Sequence, residues 1–168
     1  PVQPGSFGAR VGSTPLRGRY RLTRTIKPGI DAETLLATDL TTQAQVVVKA
    51  VRRPSNPPAD GGILQEASAL RSIDSPYLPA LLDAGQQHGF DFLVASRFEG
   101  ESLSERLSRG PLPPLAAARI GAALLRALQC VHEAGLIHRD VKADNIVVPT
   151  SAAGPAAVLV DFGLSTRV

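Results

Sequence analysis

Apolar residues along this chain first fall in short strand-like runs and later recur every three or four positions, and that change of pattern divides it. Residues 20–26, 34–37 and 46–51 are strand-like in pattern, with turn residues between them, which predicts an antiparallel meander. Pro54, Pro57, Pro58, Gly61 and Gly62 then break the chain. Ile63, Leu70 and Ile73 share one face of a predicted helix, and short strands are expected at residues 78–83 and 90–96. Ser102 and Glu105 form a capping box for a short helix that stops at Gly110. Pro113 and Pro114 open a longer helix ended by Gly135, with Ile120, Leu124, Leu128 and Val131 as its buried stripe. Two short strands, 146–148 and 158–160, complete the pattern. Residues 1–16, rich in Pro, Gly and Ser and without periodicity, read as a flexible linker.

Composition narrows the class without naming a function. The 168 residues, 43% hydrophobic and 20% charged, suffice for one folded core or a lobe and a half. The net charge of +3 comes from scattered Lys and Arg with no basic run, so a nucleic-acid partner is not expected. Cys130 is the only cysteine, which excludes an internal disulfide and makes a reducing, cytoplasmic setting the default expectation. The longest apolar stretch, residues 115–131, is interrupted by Arg119 and Arg126, so no membrane segment is expected in this chain. The chain has no Met, so it is expected to be part of something longer.

Candidate chemistry starts at Lys49, inside the run Val46-Val47-Val48-Lys49-Ala50-Val51, where an unpaired ammonium carries a heavy desolvation cost. Glu66, at helical spacing from Ile63, Leu70 and Ile73, points inward and could be its partner; alternatively, Lys49 snorkels and Glu66 is solvated. The segment His138-Arg139-Asp140-Val141-Lys142-Ala143-Asp144-Asn145 follows the long helix and precedes a strand. Asp140 and Asn145, five apart, fit a loop that aims both at one site. Asp140 suits a hydroxyl that must lose a proton, Lys142 can neutralise a transferring phosphoryl group, and the Asn145 oxygen is a hard ligand for magnesium. Asp161 ends an apolar strand before Phe162 and Gly163 and can supply a second metal contact. His138 reads as a core histidine, and His88 and His132 have no metal-ligand spacing.

These residues, in this order, resemble the eukaryotic-like protein kinases, including their bacterial Ser/Thr members: VVVK ending at Lys49, Glu66 in the next helix, HRDVKADN at 138–145 and DFG at 161–163. The resemblance covers about residues 19–168. It implies an α+β, two-lobe protein-kinase-like fold: an antiparallel N-lobe sheet with one helix and a hinge (17–98), then the start of a mainly helical C-lobe (99–168). It further implies that Lys49 holds the α- and β-phosphates of ATP and pairs with Glu66. Asp140 would orient the hydroxyl of a protein substrate, Lys142 would face the γ-phosphate, and Asn145 and Asp161 would bind Mg2+. The amides of Gly29, Ile30 and Ala32 would meet phosphate, Val47 and Val147 would belong to the nucleotide site, and the backbone of Ser96 and Phe98 would reach adenine. Lys142 resembles the Ser/Thr-specific branch.

The chain departs from the family pattern at the phosphate loop. Lys27-Pro28-Gly29-Ile30-Asp31-Ala32 keeps one glycine of a Gly-x-Gly-x-x-Gly loop, and Asp31 adds an anion near phosphates. Thr34 and Val47 stand where Val and Ala are usual over the adenine. Two other readings follow: a pseudokinase scaffold that binds nucleotide weakly, and a small-molecule phosphotransferase, which usually lacks this combination of Arg139, Lys142 and Asp-Phe-Gly. The resemblance also places the end of the chain just past that motif, so the piece alone is expected to be inactive and prone to aggregate through the uncovered stripe of its long helix.

Overall fold

The computed structural model describes residues 7–10, 12–53, 62–151, 153–161 and 166–167. They form two compact units, one of residues up to Ala67 with Leu81–Arg97, the other of Ser68–Ala80 with residues from Phe98 on. The first contains β1 (Tyr20–Lys27), β2 (Ala32–Asp39), β3 (Gln45–Arg52), most of α1 (Gly62–Leu70), β4 (Leu81–Gln87) and β5 (Phe90–Ser96). The strands make one antiparallel sheet in the order β1-β2-β3-β5-β4.

Period-two alternation in β3 sorts its side chains to two faces. Val46, Val48 and Ala50 are buried on one face with Tyr20, Leu22, Leu35, Ala37, Phe90, Phe92 and Val94. Val51 lies on the other face, where it, Leu81, Ala84, Leu93 and Ala95 pack against Ile63 and Ala67 of α1. A central strand covered on both sides reads as a near-continuous apolar run, which is why Lys49 stands out in it.

The reading of residues 1–16 as linker is corrected for the described ones. Phe7–Arg10 form a 3-10 turn, and Phe7 (0% exposed) and Leu16 (2%) belong to the same buried cluster as β3. Two isolated apolar residues in a Pro/Gly/Ser background carry no periodicity, yet they cover sheet surface that would otherwise meet water.

In the second unit lie β6 (Gly100–Ser102), α2 (Leu103–Ser108), α3 (Pro114–Glu133), β7 (Leu136–Ile137), a 3-10 turn at Ala143–Asn145, β8 (Ile146–Pro149), β9 (Val158–Leu159) and β10 (Thr166–Arg167). β6, β8 and β9 form one antiparallel sheet, and β7 pairs with β10. The capping box forms as expected: the Glu105 amide donates to Ser102 Oγ at 3.1 Å and the Ser102 amide to Glu105 Oε2 at 2.8 Å. Gly135, at φ 71°, follows α3.

Several boundaries differ from those predicted. α1 ends at Leu70, leaving Ile73 in the next turn, and the strand expected from residue 78 starts at Leu81. The buried stripe of α3 is Ile120, Ala123, Ala127 and Val131, with Leu124 and Leu128 half-buried beside it. Alanines at 123 and 127 let the helix approach β7 and β9 closely, so the larger leucines turn aside. By length and composition alone α3, with Arg119 and Arg126 in it, is apolar enough to cross a membrane, a test that core helices also pass. Its buried face packs on β7 and β9, as that of a core helix does.

One ion pair closes the β1–β2 edge. Both oxygens of Asp39, itself 2% exposed, accept from Arg19, at 2.9 and 2.7 Å, and the Thr41 amide donates to Oδ1 at 2.9 Å. The Arg19 guanidinium holds the Asp39 carboxyl far below the usual carboxylate range; burial works the other way and the Thr41 amide adds to the lowering. A lowered pKa means that the pair's stabilisation is present above the unfolded-state pKa and is lost as pH falls through the folded one. Asp39→Asn is therefore expected to lower the melting temperature at neutral pH, with the difference from wild type starting to shrink as the pH falls below the ordinary carboxylate range and vanishing only in strong acid; a pH series of thermal melts checks this.

Candidate active site

The catalytic candidates of the second unit lie between β7 and β8. His138, 1% exposed, anchors the start of the loop, and the Asp140 amide donates to its Nδ1 at 3.3 Å. Arg139 takes φ 64°, a left-handed conformation that non-glycine residues adopt at a cost and that redirects the chain at Asp140. The 3-10 turn Ala143–Asn145 then brings Asn145 back toward Asp140, with the Asn145 amide donating to the Lys142 carbonyl at 2.9 Å.

Three side chains meet there. Lys142 Nζ donates to both oxygens of Asp140, at 2.9 and 2.7 Å. Asn145 Nδ2 donates to the Asp140 carbonyl at 2.9 Å and to Asp140 Oδ2 at 2.8 Å. Asn145 is 1% exposed, and its Oδ1 is buried without a hydrogen-bond partner among the described residues. An orphaned buried acceptor costs about 1–3 kcal/mol, and a hard cation is a partner that would remove that cost. The Val160 amide donates to the Asn145 carbonyl at 2.8 Å, which places Asp161, also left-handed at φ 64°, next along the chain. Among the described residues no three His, Cys, Asp or Glu side chains cluster as a metal cage. Magnesium rarely needs one, because it binds through one or two protein oxygens and the phosphates of its nucleotide.

The Lys142 ammonium is the main reason that the Asp140 carboxyl lies below the usual carboxylate range; burial opposes it, Asn145 reinforces it, and the negative charge of Asp161 works weakly against it. Asp140 in turn raises the Lys142 ammonium above its ordinary value. The pair is ionised at neutral pH, so Asp140 is an acceptor of fixed direction and Lys142 a fixed positive charge.

The remaining candidates divide between the units. Lys49 sits opposite Thr34 on β2 and Leu93 on β5, and the alternation places it with Val47 and Val51 on the face of the sheet that α1 covers. Glu66 falls within α1, but its side chain, like Phe162 and Gly163, lies outside the described residues. In the loop, Gly29 passes so close to the Ala32 carbonyl that any Cβ there would collide with it, so the one retained glycine is required by the turn itself. Ile30 is 73% exposed, and Ala32 opens β2 opposite Val51. Ser96 ends β5 opposite Val46. Phe98 and Val147, both half-buried, belong to the second unit, where Val147 pairs with Ser102 and Val158.

The model of the protein kinase domain family matches residues 20–168. The chain belongs to the protein kinase family. Its curated relatives include serine/threonine-protein kinase pkn2 of Myxococcus xanthus, 32% identical over 157 residues, which are 91% of this chain and 19% of the relative. PknL of Mycobacterium tuberculosis is 39% identical over 104 residues, 61% of this chain and 25% of its own length. PrkC of Bacillus subtilis is 29% identical over 156 residues, 91% and 24%. The chain thus spans a quarter or less of these kinases' lengths. Protein kinases as a family use ATP and magnesium and act on protein hydroxyls.

Sequence reasoning aimed Lys142 at phosphate and did not foresee its two bonds to Asp140, because nothing in the spacing of positions 140 and 142 reveals which way a long side chain folds. Replacing Lys142 with Ala removes the leading cause of the lowered Asp140 pKa, so Asp140 is expected to titrate at higher pH in Lys142→Ala than in wild type. A carbon-13 NMR titration of the Asp140 carboxyl checks the direction of that shift.

Proposed function

We propose that this chain carries the ATP site and phosphoryl-transfer residues of a protein serine/threonine kinase. The observation that carries the proposal is the Asp140–Lys142–Asn145 cluster, with its carboxylate fixed from two sides and its buried amide oxygen left without a partner among the described residues. The serine/threonine assignment is supported by the names of the relatives and by Lys142 in the catalytic loop.

In this reading Asp140 accepts the hydrogen bond of a substrate serine or threonine hydroxyl and orients its oxygen. A carboxylate held below its usual pKa is a weak base, which suits a transfer whose nucleophile need only be positioned until bond formation is advanced. Lys142 places positive charge where the γ-phosphoryl group passes. Asn145 Oδ1 and Asp161 would hold magnesium, which when bound neutralises phosphate charge and fixes the nucleotide's orientation. Lys49, paired with Glu66, would hold the α- and β-phosphates. The amides of Gly29, Ile30 and Ala32 would reach phosphate, Val47 and Val147 would line adenine, and the backbone of Ser96 and Phe98 would bond its edge. Residues 17–98 then correspond to the N-lobe and hinge, and 99–168 to the start of the C-lobe. The cytoplasm is the proposed setting, where ATP and reduced thiols prevail.

A scaffold that holds nucleotide weakly is the second reading, favoured by one specific feature: a phosphate loop with a single glycine, an exposed Ile30 and the anionic Asp31. Melting the full-length protein with and without Mg-ATP, alongside labelled phosphate transfer by wild type and Asp140→Asn, separates the two. A kinase is stabilised by Mg-ATP and loses activity by about 100-fold or more in Asp140→Asn. Stabilisation without transfer by wild type selects the scaffold, and transfer that survives in Asp140→Asn removes Asp140 from the mechanism.

A further inference from the structure

The buried carboxylate of Glu33 has no part in the chemistry above, yet it is only 4% exposed. By alternation along β2 it shares a face with Leu35 and Ala37, members of the buried cluster opposite α1. A carboxylate on such a face is costly unless its charge is met by donors. Here the donors are the backbone of the N-terminal segment: the Phe7 amide bonds Oε1 at 2.7 Å and the Gly8 amide bonds Oε2 at 2.8 Å. The Phe7 ring, fully buried, packs against Phe90 with centroids 5.1 Å apart. Further along, the Gly12 amide donates to the Leu22 carbonyl of β1 at 3.1 Å, and Leu16 and Tyr20 exchange backbone bonds at 2.8 and 2.9 Å. The segment therefore straps β1 to β2, the two strands that flank the loop at residues 28–31.

We propose that Glu33 and Phe7 form a docking pair through which the N-terminal segment sets the geometry of the phosphate loop, with Glu33 as a positioning residue. Glu33 follows Ala32 directly, and it pairs with Ala50, the neighbour of Lys49. The loop has one glycine and a proline, the side chains of Ile30 and Asp31 are exposed, and its tie to β3 is the bond from the Arg52 amide to the Asp31 carbonyl at 2.7 Å, which leaves its other amides to be held from elsewhere. Charge-assisted bonds to Glu33, the second residue beyond the loop, supply that hold from outside it. Release of the strap leaves Glu33 to seek water, shifts the start of β2 and lowers the share of molecules whose loop is ready for nucleotide. The nucleotide part of this proposal rests on the kinase reading; the coupling of strap to loop does not.

The test uses the full-length protein as wild type, Glu33→Gln, Phe7→Ala and the conservative Phe7→Leu. Amide hydrogen exchange is followed in the strap and at residues 29–32, together with Mg-ADP affinity and the ATP dependence of any transfer. Expected for Glu33→Gln and Phe7→Ala are faster exchange in both places, Mg-ADP binding weakened by about 5-fold and KM for ATP raised by a like factor with kcat little changed, as when the competent fraction falls to about one fifth. Phe7→Leu should restore most of the affinity. A purely structural strap would exchange faster while the loop amides and Mg-ADP affinity stayed at wild-type values, and that result overturns the proposal, as does unchanged strap exchange in Glu33→Gln. If Phe7→Ala does not fold, Glu33→Gln decides. If wild type binds no Mg-ADP, the kinase reading fails, and exchange at residues 29–32 alone decides the coupling.

Discussion

An amide side chain has two hydrogens to give and one oxygen to accept with, and at Asn145 both kinds of group are buried. The nitrogen is committed to Asp140 twice over, to its carbonyl and to its carboxylate, and the oxygen has no hydrogen-bond donor among the described residues. That single constraint organises the second unit. It fixes the Asp140 carboxylate from one side while Lys142 fixes it from the other. Through the bond from the Val160 amide to the Asn145 carbonyl, it also ties the end of β9, and with it Asp161, to the catalytic loop. A buried oxygen left unpaired calls for a physical reason, and an ion from outside the chain is one that fits an amide oxygen beside two carboxylates.

The first unit meets a different demand, a lysine kept on a strand buried on both faces. β3 lies between β2 and β5 with Val46, Val48 and Ala50 packed to one side and Val51 to the other, so the backbone carrying Lys49 has little freedom to move. The loop that precedes β2 is the opposite case: one glycine, required by the close approach to the Ala32 carbonyl, and exposed side chains elsewhere. Rigid strand and sparsely held loop differ in what anchors them, and the N-terminal strap bears on the second.

Long, periodic elements were legible in the amino-acid sequence because burial repeats along them. Short apolar runs between turn residues marked β1, β2, β3 and β5, with β4 misplaced by a few residues, and Ser102 with Glu105 marked the start of α2 through a local bond that needs no tertiary partner. Asp140, Lys142 and Asn145 were legible as a group because five residues of chain must keep them near one another. What escaped depends on contacts far apart in the chain. The strap, β6, β7, β10 and the two 3-10 turns are too short for a period to show. The buried face of α3 was misjudged by a fraction of a turn because hydrophobic size favoured Leu124 and Leu128, whereas close packing on β7 and β9 favours the smaller Ala123 and Ala127. Glu33 escaped for the same reason: a charged residue on a strand reads as solvated until the segment that covers it is seen.

The most direct test of the account asks whether the Asn145 oxygen is a magnesium ligand. ADP binding to the full-length protein would be titrated with Mg2+ for wild type and Asn145→Ala, alongside ADP affinity in the absence of metal. The account predicts that the variant needs about tenfold more Mg2+, or beyond, to reach half of the metal-dependent gain in affinity, with metal-free binding little changed. An identical Mg2+ dependence in the two proteins would contradict it.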